Sequence, residues 1–79
     1  MIDNDHYMED VEWEIDCYLA RQKIDRKLLS KDMIDDMAYQ YYKNYYGYGM
    51  DEEYALRAAV SLVLKENDLA IEGFEPWFP

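Results

Sequence analysis

His6 and Asp10 stand four residues apart, the spacing at which two helical side chains share a face and could grip a metal. One imidazole backed by carboxylates is a poor donor set, because zinc sites draw on several His or Cys ligands. His6 is the only histidine and reads as a solvated surface group. Asp3, Asp5 and Glu14 fall at the first, third and twelfth places of a calcium-loop count. The fifth place is then Tyr7, and the sixth, where the sharp turn demands glycine, is Met8. That excludes the loop. Glu9 and Glu12 form a carboxylate pair of the kind that does acid–base work when different surroundings part the two pKa values. Here both belong to one polar face. Cys17 has no histidine placed to activate it, and its helical position suggests burial. There is no Ser–His–Asp set, phosphate-binding glycine loop or nucleotide fingerprint. The expectation is a protein that is not an enzyme and holds no metal or cofactor.

The carboxylates have a second use, as a charged surface. Glu9, Glu12 and Asp16 follow the i, i+3, i+7 spacing of one helix side, and Asp10 and Glu14 form the adjacent row. Such neighbours lie about 5–6 Å apart, comparable to phosphates along a nucleic-acid backbone. Like charges this close weaken a helix, and an ordinary solvated face interleaves Lys or Arg with its acids. Residues 1–20 carry seven acids and no Lys or Arg.

Tyrosine is the other concentrated residue. Six of the nine, Tyr39, Tyr41, Tyr42, Tyr45, Tyr46 and Tyr48, fall within ten positions. Tyr41 and Tyr45 share the inner face of a helix there. Tyr39, Tyr42 and Tyr46 lie on another side with Lys43. Tyrosine suits binding surfaces, since it offers large contact area with few rotatable bonds. Packing beneath other aromatics is the plainer use of the same residues.

The elements that position these groups are helical. Both prolines lie in the last four positions, so nothing earlier interrupts a helix. Met8, Val11, Ile15, Tyr18 and Leu19 follow the helical apolar period, with Trp13, Cys17, Ala20 and Ile24 as a second stripe. This predicts a first helix over about 6–25, capped by Asp3, Asn4 or Asp5. A second helix over about 32–46 buries Ile34, Met37, Ala38, Tyr41 and Tyr45, and Gly47 and Gly49 stop it. A third runs over about 52–66 behind Asp51 as N-cap, with Ala55, Ala58, Ala59, Leu62 and Val63 for close packing. The tail 67–79 holds Ile71, Phe74, Trp77 and Phe78 among Gly73, Pro76 and Pro79, a composition for an extended strap folded over the bundle. No alternating run supports a sheet. The expected fold is all-α, a small three-helix bundle with an apolar C-terminal strap, in one acidic domain spanning 1–79.

Half the residues are hydrophobic, which separates the chain from disordered acidic tails. A lone cysteine, no leader-like start and no long apolar run point to the cytoplasm, in the host cell if the source is a phage. The net charge is −10. Nucleic acid and anionic membrane both need a basic footprint, so neither is expected as a direct ligand. A basic protein surface is, reached under electrostatic steering. In composition and size the chain resembles phage-encoded DNA mimics, including some anti-CRISPR and anti-restriction proteins. The resemblance is one of type and carries no residue across. It implies an acidic inhibitor or decoy on the basic surface of a nucleic-acid-binding enzyme or complex. Expected contacts are Glu9, Asp10, Glu12, Glu14, Asp16, Tyr39, Tyr42 and Tyr46. The alternative is an interaction module such as an immunity protein, an antitoxin or a small complex subunit, gripping through Phe74, Trp77 and Phe78. A homodimer is a third option, because residues 21–31 carry five bases against Asp25 and could dock on the acidic first segment of a second copy.

Overall fold

A computed structural model describes the backbone of residues 4–76 and the side chains of residues 10–76. Three α-helices follow in order, α1 (Asn4–Arg21), α2 (Lys31–Tyr42) and α3 (Glu52–Glu66), and the described residues contain no strand. The chain is a small all-α three-helix bundle. α2 packs closely on both α1 and α3. α3 is well enclosed, with Ala55, Leu56, Ala58, Ala59, Val60, Ser61, Val63 and Leu64 all buried. Its alanines let the neighbouring helices approach, and Ile15, Leu19 and Met37 fill the space between.

The expected α1 ran to residue 25, but the helix stops at Arg21. The Ile24 N–H donates to the Leu19 carbonyl at 2.9 Å and the Lys23 N–H to that of Ala20 at 3.1 Å. Lys23 adopts a left-handed φ of 59°. These are the bonds and backbone of a Schellman stop, and the two residues whose apolar side chains usually accompany it, Ile24 and Leu19, both belong to the buried core. α3 ends in the same way. Asp68 has φ 51°, and Leu69 and Asp68 donate to the carbonyls of Leu64 and Lys65. Neither stop uses glycine, so the glycine signal of a helix end is missing at both.

Between α1 and α2, Asp25 accepts from the Lys27 N–H at 2.9 Å and sets a 3₁₀ turn over Arg26–Leu28. Ser30 then caps α2 by accepting from the Met33 N–H at 3.1 Å. α2 leaves α-geometry after Tyr42 and widens into a π-helical turn over Lys43–Gly47. Asn44 reaches from that turn toward the Ala55 carbonyl of α3, at 3.4 Å. Asp51 stands at the N-cap position of α3 but makes no side-chain capping bond.

Two apolar assignments need correction. Trp13 is not packed but 62% exposed, Ala20 is exposed and Cys17 is only half-buried, so Ile24 alone of that second stripe enters the core. Tyr45 is 36% exposed rather than inward. The described part of the tail packs on the bundle as a strap. Phe74 is 7% exposed, and Leu69 and Ile71 pack beside it on the core. The turn that seats Phe74 closes by its N–H donating to the Ile71 carbonyl at 3.2 Å. Gly73 takes the positive φ, 85°, that the third residue of such a turn requires. Trp77 and Phe78 lie outside the described residues, and no helix among those described is long and apolar enough to cross a membrane.

Candidate binding surface

The expected contact residues divide into separate neighbourhoods. The Glu9 side chain lies outside the described residues. Asp16 is not left open. Arg26 of the 3₁₀ turn brings Nη1 to 3.0 Å from Asp16 Oδ1, although off the direction of a hydrogen bond. The contact is therefore Coulombic, between two half-exposed side chains. Glu12 is half-buried, on a different part of α1 from the row that faces the tyrosines.

That row is Asp10 and Glu14. With Val11 and Trp13 of α1 they form one wall of an open cleft of about 300 Å³, whose other walls are Tyr41, Tyr45, Tyr46 and Glu52. All three helical segments contribute. Among the described residues the lining holds three carboxylates, four aromatic rings and no basic side chain. Burial raises the Glu14 carboxyl above its ordinary value. The Glu52 carboxylate, near enough to accept a hydrogen bond from the protonated form, raises it further, and Arg21 opposes the shift. Tyr41 beside them is buried, and burial followed by the charges of Glu52 and Glu14 drives its hydroxyl upward too. It therefore stays a hydrogen-bond donor throughout the physiological range. Arg21 itself is drawn to α3, donating from Nη1 to Glu53 Oε1 at 2.7 Å.

The tyrosines form a connected run. Tyr41 stacks on Tyr45 at 5.6 Å between ring centroids, Tyr45 meets Tyr46 edge-on at 4.8 Å, and Tyr46 leans on Tyr42 at 5.0 Å. Adjacent residues do not face each other on an α-helix. The wider π turn rotates less per residue, so Tyr45 and Tyr46 both reach the cleft. Tyr39 is exposed and stands apart from this run, while Tyr48 sits under Lys43 Nζ at 6.0 Å.

The structure thus brings together Asp10, Glu14, Tyr46 and, through Tyr46, Tyr42. It leaves Glu12, Asp16 and Tyr39 outside that group. Trp13, Tyr45 and Glu52 belong to the cleft without having been expected there. Trp13 was hidden by its apolar type, and Glu52 by its ordinary place in a first helical turn. Only the absence of any Lys or Arg around residues 9–16 hinted that this wall stays acidic.

A larger hollow of about 750 Å³ lies between α1, α3 and the strap, lined by residues including Tyr18, Tyr54, Phe74, Glu53, Glu75 and Arg57. It mixes both signs of charge and so has no clear ionic preference. Among the described residues no three His, Cys, Asp or Glu side chains converge as metal ligands would. No protein-family model matches the chain, and no match emerges among curated proteins or solved structures.

Proposed function

We propose that this chain is an acidic decoy that covers the Lys/Arg-rich, nucleic-acid-binding surface of a partner protein, and that it is not an enzyme. The observation that carries the reading is the excess of 18 acids over 8 bases, with Asp10 and Glu14 of α1 set beside the exposed Tyr45 and Tyr46. Carboxylates attract and orient a basic surface over long range. Tyrosine rings then supply short-range contact at little entropic cost. The alternative grip, through the C-terminal aromatics, is weakened by the burial of Phe74 in the chain's own core.

The test is a tagged pull-down from nuclease-treated bacterial lysate, eluted by a salt gradient and read by mass spectrometry. It is run beside a variant carrying Asp10→Lys, Glu12→Lys and Glu14→Lys. The decoy reading expects a nucleic-acid-binding protein released at moderate salt and absent from the variant's eluate. A partner that withstands high salt and still binds the charge-reversed chain would refute it in favour of an apolar interaction module.

A further inference from the structure

We infer that the cleft between α1, the π turn and α3 is a socket for one arginine side chain of the partner surface. This inference deepens the decoy reading and rests on it. At about 300 Å³ the cleft lies at the lower limit of small-molecule pockets, about 300–1,000 Å³. That is room for a single side chain rather than a nucleotide or a drug-sized ligand. Its chemistry is selective. Trp13, Tyr45 and Tyr46 offer ring surfaces, and Asp10, Glu14 and Glu52 offer carboxylates from two helices.

Aromatic faces with anions beside them attract a cation and repel an anion. A guanidinium answers both parts of the lining. It is planar and stacks on rings, while its fixed fork of donors engages carboxylates in its own plane. Lysine presents a compact, strongly hydrated charge and meets only the second part. A bare metal ion is a poor occupant, because the three carboxylates do not converge into a ligand cluster. Glu52 stands close enough to Glu14 to disfavour the charge on Glu14, and an arriving cation relieves that repulsion. The 62% exposure of Trp13 leaves this wall open to a side chain entering from outside.

The experiment uses the full ¹⁵N-labelled chain and three blocked tripeptides, Gly-Arg-Gly, Gly-Lys-Gly and Gly-citrulline-Gly. Chemical shifts are followed at the Trp13 indole N–H and the amides of residues 10–14 and 45–52. The expected result is saturable, millimolar binding of the arginine peptide localised to the cleft. Binding should be weaker for lysine and absent for the uncharged citrulline isostere. Combining Glu14→Gln with Glu52→Gln should weaken arginine binding by about tenfold or more, as loss of charge-assisted contacts implies. Asp35→Asn with Asp36→Asn, on the outer side of α2, should leave it unchanged. Small shifts spread over all acidic segments, or equal responses to arginine and citrulline, would overturn the socket. A silent cleft in a chain that still captures a basic partner at low salt would remove the socket and leave the decoy reading standing. A cleft that takes arginine in a chain that captures no nucleic-acid-binding protein would do the reverse.

Discussion

The surroundings of Glu14 bear directly on its charge state. Its carboxyl is raised by burial and by Glu52, with a smaller push from Glu53 and an opposing pull from Arg21. A raised acid holds its proton more tightly folded than unfolded. Its stabilising contribution is therefore complete below the ordinary value of 4.5 and is lost as pH climbs through the raised folded value. At neutral pH the ionised Glu14 is a cost. Glu14→Gln should stabilise the protein at pH 7 by about 0.5 kcal/mol, the scale of a like-charge contact on a helix surface. The gain should shrink toward pH 4, as urea melts at the two pH values would show. A gain independent of pH would mean that the cleft does not tune this group. Asp16 has Arg26 facing it at 3.0 Å. Exchange of such half-exposed pairs changes stability by less than about 1 kcal/mol, so Arg26→Gln should scarcely move the melting temperature.

At the scale of elements, the helix ends carry the local energetics. Lys23 and Asp68 hold left-handed backbone, which costs an L-residue with a Cβ about 1 kcal/mol. The Schellman bonds, the burial of Ile24 and the packing of half-buried Leu69 on the core offset that cost. Lys23→Gly should therefore stabilise the fold, by about 0.5–1 kcal/mol, against the usual effect of adding glycine. A differential-scanning melt that fell instead would show that the lysine side chain has a partner worth more than the strain. Ser30→Ala removes the α2 cap and should cost about 1 kcal/mol. The π turn is the element on which the cleft depends. Deleting Asn44 would let the segment wind as regular α-helix, separate the Tyr45 and Tyr46 rings and abolish the arginine-specific shifts, while the core residues of α2 up to Tyr41 stay in phase.

Across the whole molecule, a chain of this length buries about 60% of its unfolded surface, which makes each large contact count. Phe74 seats the strap, and Phe74→Ala should cost about 1.5–3 kcal/mol, the value of one fully buried large side chain. A loss near zero would mean that the strap decorates a bundle that is complete without it. The charges act at the same scale. Any complex driven by the carboxylates should lose affinity steadily as salt shortens the Debye length from about 10 Å at 0.1 M to 3 Å at 1 M. A flat salt profile in calorimetry would assign the affinity to ring and apolar contacts.

The helical class was legible in the chain alone, because an apolar period of 3.6 residues and the confinement of proline to the last four positions are local facts. So were the enclosed alanine face of α3 and the apolar strap, each a matter of residue type at a known spacing. Segregation of the acids was equally plain. Tertiary structure decided where α1 ends, since the burial of Ile24 against Leu19 outweighs a left-handed lysine that no local preference would choose. It decided that Trp13 faces outward, because a stripe is buried only if another element covers it, and the bundle core covers the Ile15 side instead. It decided which carboxylates are balanced. Arg26 folds back to Asp16, while Glu52 comes up beside Glu14 from across the bundle, 38 positions along the chain. Periodicity assigns residues to a face of their own helix. Which neighbour meets that face depends on packing between distant segments, and the acidic, aromatic cleft exists only there.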